Sequence, residues 1–200
     1  FESAKLYDNK VPEWIINYCK EQKYNISVKA AGILSESLGA DLNRIANEID
    51  KLTLLLPPGG EIKESLVEEH TGISKDFNSF ELLNAVIHKN VLKANQIVNY
   101  FEANPKNNPM VLTISTLFRY FLNLLTYHYQ KRETQNIQEM AKILGVHPFF
   151  MKDYTEGSRI YSAKKCATVI SLLREYDMKS KGVGNTNTSA GELLRELIFK

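Results

Sequence analysis

"MVLTISTLFRYFLNLLTYHY", Met110 to Tyr129, is the stretch on which the fold turns. Read at helical spacing it carries two adjoining apolar rows: Ile114, Leu117, Phe121 and Leu124 on one, Val111, Phe118, Leu122 and Leu125 on the other. The run is long enough to cross a bilayer. However, Arg119 sits near its middle, where insertion costs about 2.5 to 3.5 kcal/mol, and Thr, Ser and Asn interrupt it. The better reading is the central helix of a helical body. A helix apolar around most of its girth is expected to be surrounded, with both rows buried.

The flanks repeat the helical pattern. Upstream, "NSFE" pairs Asn78 with Glu81 as a capping box, and "FELLNAVIHK" and "VLKANQIVNYFEAN" read as an antiparallel hairpin turned at Asn90. "PKNNP" then forces a turn. Downstream come "IQEMAKILG", a short helix from Pro148 with Phe149 and Phe150 expected to plug the core, "SAKKCATVISLLREYDMKSKG", and "SAGELLRELIFK" capped by Ser189 and Glu192. "VGNTNTS" joins the last two as a linker.

Before Gly72 the helices are shorter. Pro12 opens "PEWIINYCKEQ", with Trp14, Ile15 and Tyr18 at helical spacing; Ser27 caps "VKAAGILSESLG", and Gly39 closes it. Asp41 caps "LNRIANEIDKLTLLL", whose Leu42, Ile45, Ile49, Leu52 and Leu56 form one stripe ended by "PPGG". "EIKESLVEEHTG" adds a brief extended piece and another helix. Strand signals are otherwise nearly absent, so the fold class is all-α, in two bodies divided near Gly72.

Charge divides at the same place. Residues 1–72 carry 8 Lys and Arg against 12 Asp and Glu, and residues 73–200 carry 17 against 11, so the formal net charge of +2 conceals −4 and +6. The second body thus permits an acidic or nucleic-acid partner without the strongly basic balance of a dedicated DNA-binding domain. Lys152, Arg159, Lys164, Lys165, Lys179 and Lys181 are the candidates for a basic interaction face, toward an acidic neighbour or primer-template DNA. Cys19 and Cys166 are far apart in helical patterns, which points to a reducing compartment rather than a disulfide. His70, His88, His128 and His147 lack partners at metal-ligand spacing, so no metal is expected.

Catalytic motifs are missing. "PPGGEIKES" lacks the spacing and preceding strand of a phosphate loop, and "GVG" at Gly182 lacks the third glycine of a dinucleotide turn. No nucleophile motif appears, and Glu68 and Glu69 read as solvated helix charges. No cofactor and no catalytic residue are therefore expected. An alternative reading is a stand-alone helical enzyme in which the aromatics of Phe118 to Tyr129 line an apolar pocket.

Four stretches in order then carry a resemblance: "LYDNKVPEWI", "ADLNRIANEIDKL", "GISKDFNSFELLNAV", and "ILGVHPFFMKDY" followed by "YSAKKCATVISLLREYDMKSKG". The chain resembles the later two thirds of the delta subunits of bacterial DNA polymerase III, members of the clamp loader. The tyrosine- and lysine-rich composition is similar to versions from the Bacteroidetes lineage. The resemblance implies residues 1–10 as the tail of an N-terminal AAA+-like domain, 11–72 as a small helical lid, and 73–200 as a helical collar. It implies Gly72, Ser74 and Asp76 as a hinge, and the clamp-loader ATPase (gamma/tau) and delta-prime subunits as collar partners. The sliding clamp would be met through the absent N-terminal domain, with no membrane and a cytoplasmic, nucleoid-associated location. Another AAA+ clamp-loader subunit is a further alternative. A hydrolysing subunit would carry a lid sensor arginine, and Arg44, the one arginine in residues 1–72, reads as a surface residue.

Overall fold

The computed structural model describes residues 10–200 except Ile73, Lys75 and Thr186, and the chain divides into two compact units, residues 1–76 and 77–200. Most of the expected tail therefore lies outside the described residues, as do two positions within the expected hinge segment.

In the first unit, α1 (Val11–Glu21), α2 (Val28–Leu38), α3 (Leu42–Thr53) and α4 (Glu64–Thr71) surround one small core. Helix α1 turns Val11, Ile15 and Cys19, each four residues apart, fully inward. Trp14 and Tyr18, expected on that stripe, are half-buried on its flank, stacked at 5.1 Å. The Tyr18 hydroxyl and Gln22 Nε2 both donate to Asp50 Oδ1, at 3.0 and 2.8 Å, because a phenol and an amide need a polar partner at the rim.

Ser27 and Asp41 accept from the backbone N–H of Ala30 and Arg44, as their positions before α2 and α3 predict. Gly39 ends α2 at φ 68°, ψ −149°, a conformation essentially reserved for glycine. Helix α3 buries Ile45, Ile49 and Leu52 as expected but stops at Thr53, four residues before Pro57. Leu56 thus leaves the helical stripe, while Leu54 and Leu55 are 85% and 51% exposed. The extended piece is β2 (Glu61–Ile62), paired in parallel with an unexpected β1 (Asn25–Ile26), Ile26 opposite Ile62. A two-residue strand is too short to show a period-2 pattern.

In the second unit, α7 (Met110–Gln130) packs against α5 (Ser79–Ile87), α8 (Ile137–Leu144), α9 (Met151–Ile160), α10 (Ala163–Ser180) and α11 (Ala190–Phe199); α6 (Val91–Ala103) packs on α5 and α11. Asn78, Asn90, Asn136, Ser162 and Ser189 cap their helices, and Ser189 with Glu192 makes a full capping box. The α10–α11 connection is tied down by Asn185, which bonds Thr188 in both directions.

Two expectations about this core are corrected. One row of α7, Ile114, Leu117, Phe121 and Leu124, is buried, but Val111, Phe118 and Leu122 of the other are 42%, 36% and 45% exposed. Leu125, the last member of that row, packs against the core, so the second row is covered at its C-terminal end and partly open along Val111, Phe118 and Leu122. Phe149, in the 3-10 turn Pro148–Phe150 ahead of α9, is 61% exposed; Phe150 alone reaches the core, stacked on Phe80. His147 caps that turn through Nδ1, which accepts from Phe149 N–H and thereby fixes Phe149 at the outer corner.

Candidate functional site

Val111, Ser115, Phe118 and Leu122 follow at intervals of four, three and four residues, which places them on one face of α7. Between and beside the apolar side chains, the hydroxyls are already used: Ser115 Oγ donates to Val111 O and Thr126 Oγ1 to Leu122 O, at 2.9 and 3.0 Å. The stripe consequently presents carbon to whatever covers it, without polar atoms that burial would strand. Arg119, exposed alongside it, makes no ion pair among the described residues.

The aromatics of this helix do not converge on a pocket, as the enzyme reading required. Tyr120 and Phe121 turn inward, Tyr120 stacked on Tyr154 and Phe121 edge-on to Tyr161, while Phe118 and Tyr129 turn out. Burial raises the Tyr120 phenol well above its ordinary range, with Tyr154 and Asp153 adding to it, and pushes the Tyr154 phenol up to about 12. Such groups hold their protons: the Tyr120 hydroxyl donates to Asp153 O at 3.0 Å, and the Tyr154 hydroxyl accepts from Asn123 Nδ2 at 3.4 Å. Among the described residues no group of three His, Cys, Asp or Glu is arranged to hold a metal.

The six candidate cations fall into two sets. Lys152 pairs with Glu156, Lys179 with Glu175 and Lys181 with Asp177, each across one helical turn, so their charge is locally offset. Lys179 also lies 4.6 Å above the Tyr176 ring, and its pairing lowers the Glu175 carboxyl and raises its own ammonium. Arg159, Lys164 and Lys165 are exposed and make no ion pair among the described residues. They flank Tyr161, and Lys179 and Lys181 stand at the opposite end of α10, about 22 Å along the helix at 1.5 Å per residue. Sequence reading overlooked a further unpaired cation at this corner, Lys89, whose Nζ is 5.9 Å from the Tyr161 ring. No sequence pattern marks Lys89; the signal for the corner itself lay in the run from Gly157 to Arg174, which contains four cations and no acid.

Of the hinge candidates, Gly72 ends α4 in the left-handed conformation, φ 71°, which favours glycine. Ser74 Oγ donates to Glu68 Oε1 at 3.4 Å and accepts from Asp76 N–H at 3.3 Å.

With that geometry in view, comparison with known proteins is informative. The family described as DNA polymerase III delta subunit, C-terminal domain, matches residues 76–195, more than half of the chain. The chain belongs to this family. A curated delta relative, DNA polymerase III subunit delta of Bacillus subtilis (strain 168), is 24% identical over 198 residues, covering 99% of this chain and 55% of its own length. Among solved structures, the Bacillus subtilis DNA clamp loader delta protein superposes with a TM-score of 0.58 at 24% identity, covering 97% of this chain and 56% of that one. This delta-family chain thus has the all-α clamp-loader delta fold and spans a little over half of its relatives' length, less than the expected two thirds. The family match contains the α7 stripe and all six candidate cations, and of the hinge candidates only Asp76.

Proposed function

We propose that this delta-family chain is a non-catalytic clamp-loader part that joins its neighbours through the exposed stripe of α7. On this reading residues 11–72 are the lid, 73–200 the collar, 1–10 the tail of a preceding AAA+-like domain, and Gly72, Ser74 and Asp76 the hinge between lid and collar. The collar meets the ATPase (gamma/tau) and delta-prime subunits in the cytoplasm, and the sliding clamp is engaged by the part of the relatives that this chain does not span. Its contribution is positional: it holds a clamp-opening domain in register.

The stripe is the observation that supports this best. Val111, Phe118 and Leu122 stand partly out of a unit whose other α7 row is sealed, and covering the exposed fraction of each is worth about 1 kcal/mol, rather less than half of the roughly 1.5–3 kcal/mol for full burial. A partner surface of standard size, about 1,200–2,000 Å² in total, accommodates the helix face and its arginine rim. Met110–Gln130 is also long and apolar enough for a membrane span by length and composition. Arg119 in its middle and the burial of a whole row against the unit favour a protein partner.

The test is size-exclusion chromatography of the protein mixed with clamp-loader ATPase and delta-prime subunits. A stable complex is expected, weakened at least roughly tenfold by Phe118→Glu with Leu122→Glu, since each charge would be buried unpaired. The variant's far-UV circular dichroism should be unchanged, because both side chains already face water. A complex that forms equally well with the double variant would sink the reading.

A further inference from the structure

We propose that the corner where α9 meets α10 binds the sugar–phosphate backbone of nucleic acid. Tyr161 is the hub of that corner: its hydroxyl donates to Val86 O at the end of α5, its carbonyl oxygen lies 2.7 Å from His128 Nε2 near the end of α7, and it separates α9 from α10. Four helix ends therefore meet here, and each brings a cation. Lys89 follows α5, Lys131 caps α7 one turn after His128, Arg159 lies in the last turn of α9, and Lys164 and Lys165 lie in the first turn of α10. All five are exposed, and none forms an ion pair among the described residues.

Glu133 stands two residues after Lys131, beside the further exposed cation Arg132, and the acids nearest Arg159 do not offset it or its α10 neighbours. Glu156 is engaged by Lys152 and His88, at 3.7 Å each, and Asp153 is partly buried, its carboxyl raised chiefly by that burial. Lys89, Lys131 and Arg159 complement the negative ends of their helices, so they have a folding rationale. Lys164 and Lys165 have none: they stand at the positive end of α10, whose first turn has no acid. Charges that oppose the local field and remain unpaired are the kind of inconsistency that function explains better than folding does.

What is exposed around Lys164 and Lys165, the two cations without a folding rationale, identifies the ligand there; the exposed Tyr129, Val91 and Leu92 stand beside Lys131 and Lys89 instead. From Gly157 to Thr168 the exposed side chains are Arg159, Ser162, Lys164, Lys165, Ala167 and Thr168: cations, hydroxyls and one methyl, with no exposed aromatic ring and no large apolar group. A protein partner needs an apolar centre to bury, and base stacking needs an open ring. Lysine and arginine donors, with the Ser162 hydroxyl beside them and the Thr168 hydroxyl spent on Lys164 O, match the phosphate contacts that position nucleic acid irrespective of sequence. The paired Lys152, Lys179 and Lys181 are outside the site. The inference stands on this corner alone and is independent of assembly through α7.

Fluorescence anisotropy of the protein with a short mixed-sequence DNA duplex tests it, across about 50 to 200 mM salt. The expected result is log-linear salt dependence with a slope of about −3 to −4.5, for three to five phosphate contacts. Lys164→Gln with Lys165→Gln should weaken binding roughly tenfold at the lowest salt and reduce the slope by roughly 2, whereas Lys179→Gln with Lys181→Gln should change affinity less than about twofold. Assembly by size exclusion should be unchanged in both variants. No duplex binding at the lowest salt, an equal loss in the two variants, or capture of a poly-glutamate peptide in preference to the duplex would each overturn the proposal.

Discussion

Cys19 and Cys166 are fully buried, and burial pushes both thiols up to about 11 from an ordinary 9.0, with the Asp50 carboxylate adding to the effect at Cys19. A folded-state value above the unfolded one means that the native protein holds these protons more tightly. The stability this confers is fully present below about pH 9 and is lost as pH rises toward 11, by up to about 1.4 kcal/mol per pH unit for each thiol. Tyrosines join from about pH 9.5, half a unit below their unfolded value of 10.0, since Tyr120, Tyr154 and Tyr161 are raised above it, so the cysteines dominate only the lower part of the fall. Between about pH 8.5 and 10 the urea midpoint should therefore fall, and Cys19→Ala with Cys166→Ala should flatten that fall while lowering the midpoint at neutral pH. Native thiols should also resist a disulfide reagent at about pH 8. A midpoint independent of pH over this window, or the same slope in the double variant, contradicts the account.

Between elements the tightest constraint is Gly157, where α9 passes α7. A Cβ there would overlap the Tyr120 hydroxyl and stand 3.5 Å from Leu124 Cδ2. Gly157→Ala should therefore destabilise the protein by about 1–3 kcal/mol through overpacking and the displaced Tyr120 hydrogen bond, even though alanine is the better helix former by about 1 kcal/mol. Urea unfolding measures this, and adding Tyr120→Phe, which removes the obstructing oxygen, should recover part of the loss. A neutral Gly157→Ala would show that the helices separate freely. No pattern in the sequence marks this glycine, because the constraint comes from a residue 37 positions away. The caps at Ser27, Asp41, Asn78 and Ser189 were legible, since each bond closes within three residues. The stripe of α7 was legible as apolar but not as uncovered: periodicity reports which side chains avoid water, not whether this chain or another shields them. The split among the cations was half legible, since Lys152, Lys179 and Lys181 each have an acid four residues away along the helix. The approach of Lys89 to Tyr161 was not.

At the scale of the molecule, the first unit has a small core built from Val11, Ile15, Leu34, Ile45, Ile49, Leu52, Ile62 and Val67, and the second a larger one around α7. Small bodies bury a smaller share of the surface their unfolded chains expose, so the first unit should be the weaker of the two. The chain offers a direct probe, because its one tryptophan, Trp14, lies in the first unit, stacked on Tyr18 and half-buried. Trp14 fluorescence should report the unfolding of that unit alone, whereas helical circular dichroism is dominated by the second unit. In urea the fluorescence midpoint should lie below the main circular-dichroism midpoint, with a shallower slope in keeping with the smaller surface exposed. Residues 77–200 expressed alone should then reproduce the upper transition. Coincident transitions by both probes, with a slope suited to all 200 residues, would show one cooperative body. That result would show that the two units stabilise each other, so that the segment around Gly72 joins parts that do not fold independently.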